Sequence, residues 1–318
     1  MKVTAILSDY DGTLHPTASI YSHNDKSIAD ASKLEDILFE ISKCIPVCII
    51  SSKDFYFLYE KVKKFSNIIS CILGMETLIL DKDKDVKIKD TIFPLDDKDG
   101  KELVYNIDNS CSIISRHTLI DPEDLVINSN ILNEIANYIQ TLYPTINIEK
   151  KFLTIEHLLG GITIDWRKNE DWSYDKKKYE KIMKKSLLNV TKMRNQLNMS
   201  NNKIEYHIQK LFIQRYSSHP FIDVYSTKTS KGDAYDCIFS EILKQTQTKG
   251  KIIYLGDSEN DNPAFKKADI SIGINSDSRL KPSLKCKYHI EFEDLSFFLK
   301  NLKNNNFEFS ESLFHYSK

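Results

Sequence analysis

Long apolar runs are missing from this sequence: none approaches the roughly 20 residues that a bilayer-spanning helix requires. The first such run, residues 3–7, stops before Asp9 and is too short for the apolar region of a secretory signal. A cytoplasmic protein is therefore expected. An excess of either charge is missing too. The 44 Lys and Arg stand against 45 Asp and Glu, for a formal net charge of -1. That balance gives no global attraction to nucleic acid or to an acidic membrane, and neither is expected as a partner. Lys151 and the stretch 175–194 are locally basic and read as solvated faces. The six cysteines show no Cys-x-x-Cys spacing and several lie in apolar runs, so they read as reduced core residues. No internal repeat is evident.

What is present fits a folded protein with a sizeable core: 41% of the residues are hydrophobic and 28% charged. A length of 318 residues exceeds the usual single domain, so two domains are expected. Residues 3–7 and 47–50 read as buried strands, and 68–73 as a third that Gly74 closes. Between them Ile28, Ala31, Leu34, Ile37, Leu38 and Ile41 recur at helical spacing, as do Phe55, Leu58, Val62 and Phe65. The rhythm returns after Lys231. A helix runs through Ala234, Ile238 and Ile242, a strand covers 252–255, and Pro263 fits the first turn of another helix. A strand over 270–274 and a helix over 295–302 close the chain. Buried strands alternating with helices predict an α/β fold: a Rossmann-like parallel sheet with helices on both faces, built from 1–75 and 226–318.

Residues 76–225 read differently. Longer alternating strands and two amphipathic helices, over 131–142 and 174–197, predict an inserted α+β cap domain, with 195–203 as a loop or helix end. Gly160-Gly161 predicts a two-residue hairpin turn that pairs Leu159 with Ile162, Glu156 with Asp165 and Thr154 with Arg167. Ile155, Leu159, Ile162, Ile164 and Trp166 then share an apolar face. Thr154, Glu156, Thr163, Asp165 and Arg167 share a polar one, open to a polar ligand. Trp166 and Phe152 read as cap core.

Four short segments end apolar runs with residues suited to phosphoryl transfer. Asp9 and Asp11 stand at a strand end, followed by Gly12-Thr13, where parallel α/β sheets bind ligands. One carboxylate can attack phosphorus and form an acyl-phosphate; the other can protonate the leaving alcohol and then deprotonate water. Ser51 offers a hydroxyl to a phosphoryl oxygen. Lys231 opens a helix, so its ammonium and the helix N-terminus can face the same anion. Asp257, Glu259 and Asp261, with Asn260 between them, crowd carboxylates that repel unless a cation joins them. Mg²⁺ takes oxygen ligands, typically one or two carboxylates with waters and substrate phosphate. Asp9, a backbone carbonyl near Asp11, and Asp257 would suffice, with Asn260 and Asp261 orienting waters or Lys231 around them. Each segment alone has an ordinary reading as well: turn aspartates, a helix cap at Ser51, a surface lysine, an acidic loop. Together they predict a Mg²⁺-dependent enzyme that forms an aspartyl-phosphate.

In this combination the motifs resemble those of the haloacid dehalogenase (HAD) superfamily of phosphatases, over roughly 1–75 and 226–300. The resemblance implies Asp9 as nucleophile, Asp11 as general acid/base, Ser51 and Lys231 as phosphate-binding residues, and Asp257 and Asp261 as the acidic metal-site pair. A cap inserted between the Ser and Lys motifs is similar to the subgroup acting on trehalose 6-phosphate and sucrose 6-phosphate. Glu156 and the strand reaching Asp165-Trp166-Arg167 resemble the trehalose-6-phosphate phosphatase segment in which a Glu precedes a strand ending His-Tyr-Arg. Here Asp165-Trp166 replaces His-Tyr, and Leu158 stands where Lys is usual. In the second motif Ser52 and Lys53 replace the commoner Gly-Arg. Residues 221–225 resemble the strand leading into the lysine motif.

The resemblance implies a hydrolase for a small phosphorylated metabolite, foremost a sugar phosphate, with the cap closing over the site. Glu156 and Asp165 would meet sugar hydroxyls, and Arg167 a second anionic group such as that of a glycosyl-phosphoglycerate. A phosphosugar mutase and a non-catalytic sugar-phosphate-binding regulator share such a core. The first departs in lacking here the Gly-rich insertion near Asp257, and the second in that all four segments are intact.

Overall fold

A strand without a charged residue can bury both faces, and β1 (Val3–Ser8) is buried at every position but Thr4. After it come α1 (Asp25–Ser42), β2 (Val47–Ile50), α2 (Phe55–Val62), β3 (Ile68–Cys71) and β4 (Glu76–Leu80). An antiparallel ribbon of β5 (Ile88–Pro94) and β6 (Lys101–Ile107) follows. Next are β7 (Ile113–Thr118), α3 (Pro122–Leu142), β8 (Asn147–Phe152), β9 (Leu159–Asp165), β10 (Phe212–Arg215) and β11 (Phe221–Tyr225). The chain closes with α4 (Lys231–Thr246), β12 (Lys251–Gly256), α5 (Asn262–Phe265), β13 (Ile270–Asn275), β14 (Tyr288–Glu291) and α6 (Phe292–Asn304). The computed structural model describes residues 1–15, 25–81, 88–94, 101–107, 113–166, 181–182, 184–190, 210–216, 221–246, 250–275 and 282–314.

The chain packs as two units. Met1–Val86, Asn109–His117 and Ser230–Lys318 form the first; Lys87–Asp108 and Thr118–Thr229 form the second. In the first, eight strands run in the order β14-β13-β12-β1-β2-β3-β4-β7. The pairs from β14 through to β3 are parallel, and β3–β4 is antiparallel. One face packs Ala5, Leu7, Ile252 and Tyr254 against Ala234, Ile238 and Ile242 of α4 and Phe265 of α5. The alternate positions Ile6, Ile49 and Ile253 are also fully buried, on the side where α1 lies against β2 and α6 against β13 and β14. This is the predicted α/β core. The chain leaves β1 toward β2 and β3, then returns on its other side as β12, β13 and β14. The strand order therefore switches between β1 and β12, and a doubly wound sheet binds ligands outside that crevice.

The first unit extends past residue 75, where the sequence suggested a boundary. Ile72 (φ 51) and Leu73 (φ 58) adopt left-handed backbone and reverse the chain, so the third strand ends at Cys71. β4, buried at all its positions, then pairs back onto β3. Phe65 lies beyond the end of α2, though its side chain is buried.

In the second unit, β10-β11-β9-β8 form an antiparallel sheet. Ile162, Ile164, Trp166, Ile222 and Val224 pack on Ile131, Leu132, Ile135 and Ile139 of α3, with Phe152 at the edge of the cluster. α3 starts at Pro122 rather than 131 because Asp121 caps it, accepting the Glu123 N–H at 2.9 Å. Of the helix expected over 174–197, residues 181–182 and 184–190 are helical; the rest, and the loop over 195–203, lie outside the described residues.

The hairpin differs from expectation. Gly160 and Gly161 lie inside β9, where Lys151 pairs with Gly161 and Asn147 with Asp165. The chain turns at 153–158 instead, and His157 takes the left-handed conformation (φ 54). Ile155 is exposed in that turn rather than on the apolar face. Gly161 answers to packing: a Cβ there would lie 2.7 Å from Cδ1 of Tyr225 on β11. Among the described residues no helix is long and apolar enough to cross a membrane.

Candidate active site

Asp9 follows the last residue of β1, and its N–H donates to Leu255 O of β12 at 2.9 Å, so the strand pairing continues up to the carboxylate. Its Oδ1 accepts the Tyr10 N–H at 2.8 Å. Tyr10 O then accepts from the N–H groups of Leu14 (2.9 Å) and His15 (3.0 Å), which closes the loop tightly. Gly12 sits in that loop at φ +82, and a Cβ there would lie 2.0 Å from Asp257 Oδ2. Only glycine meets both demands. Thr13 Oγ1 donates to Asp257 Oδ1 at 3.2 Å, which ties the first motif to the last. Asp11 is half-buried, and among the described residues its Oδ2 is enclosed with no hydrogen-bond partner.

Ser51 follows β2 and is 1% exposed. It is not the cap of α2: Asp54 is, accepting the Phe57 N–H at 3.0 Å. Ser51 Oγ instead accepts the Lys53 N–H at 3.2 Å, while its backbone pairs with Ser70 and Leu73. Lys231 is no surface lysine. As the first residue of α4 it is fully buried, with Nζ 2.7 Å from Asp9 Oδ2 and 2.7 Å from Asp261 Oδ1.

The loop after β12 is organised by Asp261. Its Oδ2 accepts the N–H groups of Asp257 (3.1 Å) and Ser258 (3.0 Å), and its Oδ1 accepts the Tyr254 hydroxyl at 2.6 Å. Asn260 takes the Ser258 hydroxyl at 2.8 Å.

Asp9, Asp257 and Asp261 each bring a carboxylate oxygen within 4.8 Å of the others. Burial, together with repulsion from Asp261 and Asp11, outweighs Lys231 and pushes the Asp9 carboxyl up to about 7. Burial and the Asp9 and Asp261 charges hold Asp257 well above the usual carboxylate range. Burial alone would lower Lys231, but Asp261 and Asp9 overcome it and hold the ammonium above its ordinary range. Three carboxylates thus share one ammonium, and a further cation would relieve the repulsion. An all-oxygen donor set suits a hard ion of the Mg²⁺ type. Asp261 is already saturated with donors, which leaves Asp9 and Asp257 as the carboxylates free to take such an ion. The side chains present fit it.

Glu156 is exposed in the turn, Asp165 is buried in β9 opposite Asn147 and Phe221, and Arg167 lies outside the described residues. Lys151, expected on a solvated face, is buried and ion-paired to Asp223. Tyr254 had no motif to announce it, and Thr13 and Asp223 lay within quoted segments without a role of their own. Among the described residues the cysteines are free thiols; Cys48 and Cys71 are buried as expected, whereas Cys44 is exposed.

No family model matches the sequence, and no curated protein does either. Solved structures do match. The C-terminal domain of trehalose-6-phosphate phosphatase from C. albicans is 16% identical with a TM-score of 0.53, over 95% of this chain and 91% of that one. Trehalose-6-phosphate phosphatase from Aspergillus fumigatus is 16% identical with a TM-score of 0.51, over 96% and 94%. A sugar phosphatase of HAD subclass IIB is 11% identical with a TM-score of 0.50, over 96% and 100%. Along nearly its whole length, this chain has the fold of the HAD superfamily phosphatases.

Proposed function

We propose that this chain is a Mg²⁺-dependent phosphomonoester hydrolase that acts on a sugar phosphate through a phosphoaspartate at Asp9. The observation that carries the reading is Lys231, buried at 2.7 Å from both Asp9 and Asp261 beside a third carboxylate, Asp257, at the switch point of the sheet. A site so short of positive charge suits a metal ion, with Lys231 and Ser51 left to bind the phosphoryl oxygens.

In the first step an Asp9 carboxylate oxygen bonds to phosphorus as the ester P–O bond breaks. The leaving oxygen takes a proton from Asp11, whose enclosed Oδ2 has no other partner among the described residues. Asp11 then accepts a proton from water as the water oxygen attacks the phosphorus. Inorganic phosphate departs, and Asp9 regains its carboxylate. Asp9, Asp257 and the Asp11 carbonyl would hold Mg²⁺, with Asp261 and Asn260 around them. When bound, the ion offsets charge on the phosphoryl oxygens.

Selection of the sugar is assigned to the second unit, through Glu156, Asp165 and Arg167. Support comes from the likeness to two trehalose-6-phosphate phosphatases and a sugar phosphatase across nearly the whole chain. Balanced charge and free thiols support a cytoplasmic enzyme.

The test is phosphate release from trehalose 6-phosphate, sucrose 6-phosphate, mannosyl-3-phosphoglycerate and phosphoglycolate, with and without MgCl₂. Release from a sugar phosphate, dependent on Mg²⁺, is expected. Asp9→Asn should lower it by at least about a thousandfold while the circular dichroism spectrum stays unchanged. No release from any ester removes the hydrolase reading, and interconversion of sugar phosphates without release replaces it with a mutase.

A further inference from the structure

Asp261 Oδ1 has two donors: the Lys231 ammonium at 2.7 Å and the Tyr254 hydroxyl at 2.6 Å. Tyr254 reaches this oxygen from within β12. Its ring is fully buried in the apolar cluster between the sheet and α4, edge-on to Tyr235 at 6.5 Å and to Phe265 at 5.4 Å. Phenylalanine would fill that space with no polar atom to satisfy, whereas a buried phenol requires a partner. The partner here is the carboxylate that holds Lys231.

We infer that the Tyr254 hydroxyl is a positioning group for Lys231, which keeps the ammonium shared between Asp261 and Asp9. This rests on the phosphatase reading above. An ammonium between two carboxylates moves toward the one whose charge is less compensated. On Oδ2, Asp261 is anchored by the Asp257 and Ser258 N–H groups and by the Ser258 hydroxyl at 3.2 Å. On Oδ1, the Tyr254 hydrogen bond occupies a lone pair and offsets part of the charge facing Lys231. The equal 2.7 Å distances from Nζ to Asp261 and to Asp9 are the outcome. Without the hydroxyl, Asp261 Oδ1 holds the ammonium alone and draws it away from Asp9, where the phosphoryl oxygens arrive.

The test is a double-mutant cycle of Tyr254→Phe and Lys231→Met, read by calorimetric binding of inorganic phosphate in MgCl₂. The kcat and KM for the ester that wild type hydrolyses fastest are measured alongside. Tyr254→Phe should keep the wild-type melting temperature, weaken phosphate binding about tenfold and lower kcat to match. In the Lys231→Met background it should cost nothing further. Equal losses in both backgrounds, or unchanged phosphate affinity in Tyr254→Phe, overturn the inference and leave the phosphatase reading intact. A wild type that neither binds nor releases phosphate overturns both. Should Lys231→Met fail to fold, the ¹⁵N-lysine spectrum decides: Tyr254→Phe should shift the Lys231 ammonium resonance, and an unmoved resonance overturns the inference.

Discussion

Among the described residues a lysine is buried against aspartate twice, and the two places reach opposite electrostatic states. In the second unit, Lys151 and Asp223 are each 1% exposed. Asp223 accepts from Thr163, from Tyr216 at 2.6 Å, from Tyr225 at 3.0 Å and from Lys151 at 3.3 Å. Burial alone would raise its carboxyl, yet the Lys151 charge and three hydroxyls together hold it below the ordinary range. In the first unit, Lys231 faces three carboxylates, and Asp9 and Asp257 are raised instead. The ingredients are nearly the same; the ratio differs. A cluster with every oxygen satisfied holds a fold together, whereas one short of cations retains affinity for an incoming ligand.

The sharpest way to break this contrast is to neutralise one aspartate in each unit. Asp223→Asn strands Lys151 in a buried site, and removing one partner of such a pair costs about 3 kcal/mol or more. Asp257→Asn removes a repelled charge, so the metal-free first unit should gain about 1 kcal/mol even as activity is lost. Amide hydrogen exchange reads the two units separately. Losses of stability in both would show that the two clusters do the same work.

Acidity should act on the two units in opposite directions. The Asp9 folded value, about 7, lies above the unfolded value near 3.9, so the metal-free folded state carries a proton that the unfolded state lacks between those limits. Stability of the first unit therefore falls as pH rises through that window, by at most about 1.4 kcal/mol per pH unit. Asp223, being lowered, contributes stability that is present above pH ~4 and is lost as pH falls through its folded value. At the proposed site Mg²⁺ would compete with the Asp9 proton, so its stabilisation, about 2.7 kcal/mol at a hundred times its Kd, should be larger at pH 8 than at pH 6. Melting curves with and without MgCl₂ at both pH values test this. A magnesium effect independent of pH would remove Asp9 from the ion's ligands.

What could be read in the sequence follows the same division. The first unit was legible because its candidate site sits at strand ends, where a short apolar run and a charged motif are contiguous: Asp9 after 3–7, Asp257 after 252–255. The register of partners was hidden, as was the return of the chain through β4 and β7 into the same sheet, and Tyr254 was masked inside its own apolar run. In the second unit the cluster draws Lys151, Thr163, Tyr216, Asp223 and Tyr225 from β8, β9, β11 and the end of β10, and no local pattern marks residues that meet only by cross-strand pairing. Lys151 beside Lys150 looked like a solvated run. Gly160-Gly161 looked like a turn because glycine pairs favour one, while the actual turn places a histidine in left-handed backbone.

That misread glycine offers the smallest test. Gly161 needs no positive φ; it is glycine because the Tyr225 ring occupies the space, with Cδ1 at 2.7 Å and Cε1 at 3.1 Å from an added Cβ. The ring has no room to yield: it is fully buried, stacks on Phe212 at 6.4 Å and carries the Lys151 ammonium 5.3 Å from its centroid. Gly161→Ala should therefore displace the Tyr225 hydroxyl from Asp223 and cost about 1–2 kcal/mol, less than Asp223→Asn. In a Tyr225→Leu background, measured by urea unfolding, most of that cost should vanish, because the obstructing ring is gone. Equal losses in both backgrounds would place the strain in the Gly161 backbone and detach it from the buried cluster.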